Sequence, residues 1–478
     1  MSETVLLVGG GGREHAIARA LEESDCELYA CAGNRNPGIA FLAEGFETLD
    51  ATNTSAVTTY AEEVGATLAV VGPEAPLQAG VADALSEAGV FPFGPSAEEA
   101  RIETDKAYQR RFMREHDISG CPAFETFEDT EAACEYIDSS TTDLAVKPAG
   151  LTGGKGVKVI GDQVDKEGAK AYLREEEYDR VVLEERFVGE EFTVQGLVAN
   201  GSLRVTPAVQ DHKRAYEGDE GPNTGGMGSY SDAGLELPFM TEAEYREAVA
   251  ILDETVAALG DYTGVLYGQF MLTVDGIRVI EYNARFGDPE AMNTLPTLNT
   301  DFLDVLVAAR AGEALPQLSF APRATVCKYA VPEGYPDDPQ GGTRITVDEE
   351  SVARAGRVAN ESSSAEPRSA DSRTAEPSDD GTDGESDDEP RESMAQTGVE
   401  DGNAQLFYAS VDARDDGIYT TTSRAFAVVG IAESITEAED IAENALSEAD
   451  EGVRIRHDIG TEELVQSRID HMAELRGE

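Results

Sequence analysis

Three polar side chains at the end of one short apolar run could do chemistry together. Gly276-Ile-Arg-Val-Ile280 reads as a β-strand entered from the turn-like Val274-Asp-Gly276. Glu281 and Asn283 follow two residues apart, so on a strand both side chains point to one face, and Arg285 falls on that face too. A carboxylate and an amide oxygen suit a hard cation such as Mg²⁺, which takes oxygen ligands and keeps phosphate oxygens in its shell. A guanidinium beside them could grip a phosphoryl oxygen or a carboxylate with two parallel hydrogen bonds. Gly287-Asp-Pro289 then turns the chain away. For Glu281 alone, a polar strand end is the better reading. For Glu281, Asn283 and Arg285 together, a metal–phosphate site is.

The elements that must position these groups form a long, strongly acidic chain. It has 478 residues, enough for several domains with their own cores. Its net charge is −57, from 94 acidic against 37 basic residues, which argues against nonspecific binding to nucleic acid or anionic membrane. Acidity on this scale fits either a disordered protein or a folded one adapted to high salt, where screening removes most self-repulsion. The hydrophobic content of 40% and persistent apolar periodicity favour the folded, halophilic reading. Five cysteines, odd in number and without a Cys-x-x-Cys pair, read as buried free thiols in a reducing cytoplasm. There is neither a signal peptide nor an apolar run long enough to span a bilayer.

Lysine is the scarce residue, with only eight in the chain. Lys106, Lys147, Lys155, Lys158 and Lys213 nevertheless sit inside motif-like stretches, where chemistry is a better reason for a lysine than solvation, with a structural reading also open for Lys158, one step into the next strand. Leu144-Ala-Val-Lys147 reads as a strand, and Pro148-Ala-Gly-Leu-Thr-Gly-Gly-Lys-Gly-Val157 as a glycine-rich hairpin after it. It is not a Walker A loop, because no Gly-Lys-Ser/Thr follows at the required spacing. Gly153, Gly154 and Gly156 let backbone N–H groups approach phosphates, and Lys147 and Lys155 add point charges.

At the amino end, Thr4-Val-Leu-Leu-Val8, a Gly9–Gly12 loop and the helical Arg13 to Leu21 make a strand, glycine loop and helix, a phosphate-binding arrangement. The dinucleotide fingerprint fails, since position 14, which needs a small residue, is Glu14. A Rossmann-like domain that binds a monophosphate, or nothing, is expected. Two further strands lead into Gly33-Asn-Arg-Asn-Pro-Gly38 and Gly72-Pro-Glu-Ala-Pro76, loops that would lie at the carboxyl ends of parallel strands. A helix is expected from about Ser96 to His116, and a long one from about Glu242 to Leu259 before the strand Gly264 to Leu272. Roughly 350–401 is rich in Ser, Glu, Asp and Pro and nearly free of large apolar residues, so a disordered acidic insertion is expected there.

Several of these stretches resemble one family. Arg285-Phe-Gly-Asp-Pro-Glu-Ala-Met292, Gly-Gly-Arg-Glu-His15, Val-Gly-Pro-Glu-Ala-Pro-Leu77, Gln210-Asp-His-Lys-Arg214 and Gly221-Pro-Asn-Thr-Gly-Gly-Met-Gly228 are similar to the phosphoribosylamine–glycine ligases, ATP-grasp enzymes of purine synthesis, in their archaeal form. The fold implied is α/β and α+β multidomain: a Rossmann-like amino-terminal domain (1–104), an ATP-grasp core (105–316) with a mobile small subdomain (about 121–190), and a compact β-rich carboxyl-terminal domain (317–478) interrupted by the insertion.

The resemblance also implies roles. Gly10, Gly12, Arg13, Glu14, Asn34, Gly72, Pro73, Glu74, Asp288 and Pro289 would hold phosphoribosylamine and glycine. Lys106, Lys147, the hairpin, Glu184, Glu185, Phe187, Glu191 and Asn223-Thr-Gly-Gly226 would hold ATP, and Glu281, Asn283 and Gln269 one or two Mg²⁺ or Mn²⁺ ions. Asp211, Lys213 and Arg285 would be catalytic. A cytoplasmic monomer acting on small molecules follows. Alternatives are another ATP-grasp ligase, such as a purine-pathway carboxylase, or a silent nucleotide-binding protein. The first would lack the 210–214 and 221–228 segments, and the second would have no reason to keep metal ligands.

Overall fold

The computed structural model describes residues 2–150, 156–176, 178–363, 403–447 and 452–478. Gly153, Gly154 and Lys155 therefore lie outside the described residues.

The chain starts with β1 (Glu3–Val8), α1 (Gly12–Ala20), β2 (Cys26–Ala32), β3 (Gly45–Thr48), β4 (Leu68–Val71) and β5 (Phe91–Phe93). The five strands pair in parallel in the order β3-β2-β1-β4-β5. Val5 to Val8 are buried throughout, as a parallel strand covered on both faces requires. The order reverses beside β1, so a crevice opens at the carboxyl ends of β1 and β4.

The helix expected from Ser96 to His116 is two helices, Arg101–Thr104 and Lys106–Glu115. Asp105 breaks the run with an extended backbone, and its carboxylate caps the second helix by accepting from Tyr108 N. A small antiparallel sheet follows: β6 (Phe124–Phe127), β7 (Leu144–Pro148), β8 (Lys158–Val159) and β9 (Val181–Glu185), ordered β6-β9-β7-β8. It packs on two helices around its own core of Ile137, Val146, Leu173 and Leu183.

The second layer of the central region holds β10 (Glu190–Ala199) and β11 (Ser202–Val205). The short strands β12 (Gln210–Asp211), β13 (Arg214–Tyr216), β14 (Glu220–Asn223) and β15 (Gly228–Ser231) follow. Then come β16 (Gly264–Thr273) and β17 (Gly276–Asn283), which close an antiparallel sheet ordered β11-β10-β16-β17. The helix Glu242–Leu259 forms within the expected bounds, started by a capping box of Thr241 and Glu244.

The carboxyl-terminal sheet is not built from its own segment alone. Strands β12 and β15 join it through β18 (Ala324–Pro332), which pairs with Phe426–Ala432, itself paired with Asn403–Tyr408. The expected acidic insertion is corrected at its start. Glu349–Ser363 is a helix, and its Val352 is fully buried. The apolar positions Val352 and Ala355 lie three apart on one face, enough to dock a turn that polar composition alone would leave solvated. Residues 364–402 lie outside the described residues. All five cysteines are free; Cys31, Cys134 and Cys327 are buried, Cys26 and Cys121 half-buried. Among the described residues no helix is long and apolar enough to cross a membrane.

Candidate active site

A cleft of about 530 Å³ runs between the small sheet and the β10–β16–β17 sheet. Ala145, Met271 and Ile280 give it an apolar floor, and Glu185 and Phe187 stand where the chain crosses from one sheet to the other. Lys147, Glu191, Lys213, Gln269 and Glu281 supply the polar groups.

Register explains how β17 presents Glu281. Gln269 pairs with Glu281, but Phe270 pairs with Val279, so Ile280 is the extra residue of a β-bulge. The bulge turns carbonyls out of the ladder. Lys147 Nζ donates to Ile280 O at 3.0 Å, and Arg110 Nη2 donates to Ile280 O and to Val279 O. Arg110 also clasps Glu184 through two hydrogen bonds of 2.7 and 3.0 Å, while Lys147 approaches the same carboxylate at 2.7 Å. Glu184 is 2% exposed. Burial pushes its carboxyl upward, but the two cations outweigh that and keep it below the ordinary range. Both of its oxygens are therefore engaged within the protein.

Electrostatically the cleft converges on Glu281. Burial would raise its carboxyl, but Lys106, Lys213, Lys147 and Arg285 pull it down to about 2. Lys106 stands 3.6 Å away. Three of the eight lysines thus surround one carboxylate, while Lys158 packs over the Tyr172 ring. Lys213 Nζ donates to Gln269 Oε1 at 2.6 Å, and Gln269 Nε2 donates to Glu191 at 2.7 Å. The oxygen expected on a metal is held here by an ammonium. Asn283, opposite Tyr267 in the register, and Gly156 are outside the cleft lining.

The predicted substrate residues gather at a second place, the crevice beside β1. Glu14 folds back so that its carboxylate accepts from Gly11 N at 2.7 Å and from Arg13 Nε at 2.6 Å. A Cβ at Gly9 or Gly72 would strike Glu14, so the side chain fills the space a dinucleotide loop leaves open. Gly9 also has φ +129°, which favours glycine. Arg13 reaches Phe286 O at 3.1 Å, and Pro73 closes on Gly9. Asn34 donates to Gly10 O and to Val411 O, so its amide is spent on backbone.

Arg285 is not on the cleft wall. Its guanidinium turns to Glu103 at 3.0 Å and Glu74 at 3.5 Å, joining the end of β17 to the amino-terminal domain. The strand ends at Asn283, so the two-residue alternation that put Arg285 beside Glu281 no longer holds.

Asp211 and Gly226 bridge the two places. A Cβ on Gly226, whose φ is +107°, would lie 2.7 Å from both Asp211 Oδ1 and Pro289 Cδ. Burial first, and then the Glu290 carboxylate, hold the Asp211 carboxyl well above its ordinary range, against the pull of Lys213 and Arg424. Thr224 ties the loop down by donating to Lys213 O at 2.8 Å and accepting from Gly226 N at 3.0 Å.

Sequence reasoning missed Arg110, Glu103, Glu290 and Arg424. Glu290 lies inside the quoted signature and was within reach; it accepts from Tyr267 at 2.8 Å. It also missed Arg468 and His471, which line the cleft from the terminal helix Glu462–Arg476. Distance along the chain hid Arg424 and the terminal helix, because no local pattern marks a side chain that acts on another domain.

Comparison with known proteins gives a consistent result. Three models of one family match: the phosphoribosylglycinamide synthetase N domain over residues 3–103, its ATP-grasp (A) domain over 104–291, and its C domain over 386–462. The chain is 48% identical over 484 residues to the phosphoribosylamine–glycine ligase of Methanosarcina barkeri, covering 99% of this chain and all of that one. It is 46% identical over 493 residues to that of Methanopyrus kandleri, covering 99% of each. These alignments run nearly end to end along the chain. Among solved structures, the phosphoribosylamine–glycine ligase of Thermotoga maritima superposes with a TM-score of 0.72 at 24% identity, over 95% of this chain and 99% of that one. The N5-carboxyaminoimidazole ribonucleotide synthetase of the same organism shares the fold with a TM-score of 0.61 at 14% identity, over 95% and 99%.

Proposed function

This chain belongs to the phosphoribosylglycinamide synthetase family, and we propose that its two adjoining sites carry out the family's ligation by the division of labour that follows. It is an ATP-grasp ligase. ATP, glycine and 5-phospho-β-D-ribosylamine give ADP, phosphate and N1-(5-phospho-β-D-ribosyl)glycinamide in purine biosynthesis. The γ-phosphoryl group passes to a glycine carboxylate oxygen. The phosphoribosylamine nitrogen then attacks the carbonyl of the resulting glycyl phosphate, expelling phosphate and losing a proton. No side-chain nucleophile is needed, so catalysis is positioning and charge stabilisation.

The observation that carries the reading is the convergence of Lys106, Lys147 and Lys213 on Glu281 at the seam between two sheets. The cleft takes ATP, with the base on the Ala145–Met271–Ile280 floor, the hinge at Glu185 and Phe187, and the ribose beside Glu191. Lys106, Lys147, Lys155 and the hairpin glycines neutralise the phosphates. Residues 1–104 hold phosphoribosylamine at the Gly10–Glu14 and Gly72–Glu74 loops. Asp211, Lys213, the Asn223–Gly226 loop, Asp288 and Pro289 surround glycine. Arg285, anchored by Glu74 and Glu103, faces the amine side.

The donor set suits Mg²⁺ or Mn²⁺: Glu281 is ionised and its oxygens are hard. Among the described residues no cluster of three His, Cys, Asp or Glu side chains could hold a metal, so Glu281 and Asn283 would share it with phosphate oxygens. Such an ion, when bound, neutralises phosphate charge. The strongly acidic chain is further read as adapted to high salt, with a cytoplasmic monomer as the working form.

The test is ADP release in molar KCl with Mg²⁺, glycine, and phosphoribosylamine generated in place from ribose 5-phosphate and ammonia. Release that requires both glycine and the amine is expected. Release that needs neither, or that needs bicarbonate instead, would send the substrate assignment to another ATP-grasp enzyme.

A further inference from the structure

We infer that Arg424, from the carboxyl-terminal sheet, is a positioning residue for the glycine half of the reaction and not for the ATP half. The inference rests on the ligase reading above and names a residue that reading does not use.

Arg424 stands just before the strand Phe426–Ala432, far along the chain from every motif of the site. Its Nη1 donates to Gly225 O at 2.6 Å, Gly226 O at 3.1 Å and Asp288 O at 2.9 Å. Its Nη2 lies 3.2 Å from the Asp288 carboxylate. The Tyr329 hydroxyl donates to the other oxygen of that carboxylate. The guanidinium also lies over the Tyr329 ring, 4.5 Å from its centroid, which fixes its plane. One side chain thus clamps two loops that are distant in sequence, Asn223–Gly226 and Gly287–Pro289.

Other contacts join the same segments, with Gly226 against Pro289 and Asn293 bonded to Ser229, but Arg424 is the side chain that holds carbonyls of both loops at once. Gly225 packs flat against the guanidinium, where a Cβ would come within 3.3 Å of Cζ. Gly226 is pressed between Asp211 and Pro289. A shift of either loop would therefore move Asp211 and Asp288 relative to each other. Asn223, at the start of the first loop, lines the ATP cleft, but the three carbonyls that Arg424 holds, on Gly225, Gly226 and Asp288, lie outside that lining, on the side away from the base. The sheet topology explains why the residue comes from so far away. Strand β15 leaves the Asn223–Gly226 loop and pairs with β18, which pairs with the strand that Arg424 leads into. A lysine could pair with Asp288 as a point charge, but it lacks the fork needed to reach carbonyls of both loops.

The experiment begins with glycine- and amine-dependent ADP release by the unaltered chain; failure at that step overturns the ligase reading itself. With that activity in hand, Arg424→Lys is expected to raise the KM for glycine about tenfold, and Arg424→Ala to lower kcat/KM for glycine about a hundredfold. The KM for ATP, and the rise in Tm produced by a non-hydrolysable ATP analogue, are expected to stay within about twofold of the unaltered chain. An Arg424→Lys chain that matches the unaltered one, or equal rises in KM for glycine and ATP, would overturn the inference while leaving the ligase standing. If neither Arg424 variant folds, Tyr329→Phe carries the test, because it removes one hydroxyl and keeps the ring. A glycine KM raised about threefold at unchanged ATP KM supports the clamp, and an unchanged glycine KM overturns it.

Discussion

At the scale of single residues, Glu281 shows why a carboxylate surrounded by lysines points to phosphate chemistry. Lys106, Lys147 and Lys213 all act on it, although Lys147 also pairs with Glu184 and Lys213 also feels Glu191 and Asp211. Ammonium groups gathered beside a buried carboxylate suit a triphosphate and its metal. Glu281→Gln keeps the shape and removes the charge. It is expected to cut turnover about 10²–10³-fold, read by steady-state ADP release. Undiminished turnover at ordinary Mg²⁺ would remove Glu281 from the phosphate site. Its depressed carboxyl also sets a sign: the stabilisation it contributes is complete above the ordinary carboxylate range and is lost as pH falls toward about 2. Glu281 and Lys147, which line the cleft, could be singled out in the sequence because strand alternation and lysine scarcity are local facts, whereas Asn283 falls outside that lining. Arg285 was legible as a chemical residue but not in its direction, since that depended on where the strand stopped.

At the scale of elements, the bulge at Ile280 and the helix Lys106–Glu115 depend on each other. The bulge exposes two carbonyls, and Arg110 from the helix accepts the task of satisfying them while clasping Glu184 on β9. One guanidinium so joins both sheets of the cleft. Arg110→Ala would leave Glu184 and the Ile280 carbonyl with Lys147 alone and take a donor from Val279 O. It is expected to cost about 3 kcal/mol in denaturant unfolding and to weaken binding of an ATP analogue. A loss below about 1 kcal/mol, within the range of an ordinary surface pair, would show that the triad is not what holds the sheets together. Apolar periodicity found the strands and the Glu242–Leu259 helix, because those patterns repeat along the chain. A bulge adds one residue to one strand and leaves no repeat behind, so it could not be read.

At the scale of the whole molecule, the chain carries a net charge of −57. Self-repulsion of that size is relieved by screening. Raising KCl from about 0.1 M to about 2 M is expected to raise Tm by roughly 10 °C, followed by thermal unfolding. A flat or falling Tm would remove the high-salt reading without touching the ligase. Architecture at this scale also departs from a string of domains. The carboxyl-terminal sheet takes β12 and β15 from the central region, so the stretch between them is framed by strands of a different segment.

The sequence by itself determined the family and the α/β and α+β character, and it proposed groups that could meet a phosphate. Each of those rests on short-range order: alternation along a strand, glycines in a loop, a lysine kept where few remain. Only the tertiary structure decided that Glu14 fills the dinucleotide space and that Glu349–Ser363 folds as a helix. It also decided that Arg285 pairs with Glu103 and Glu74 and that Arg424 reaches across to the Asn223–Gly226 and Gly287–Pro289 loops. Those outcomes are set by partners distant in the chain, and a buried charge takes its direction from whichever partner satisfies it.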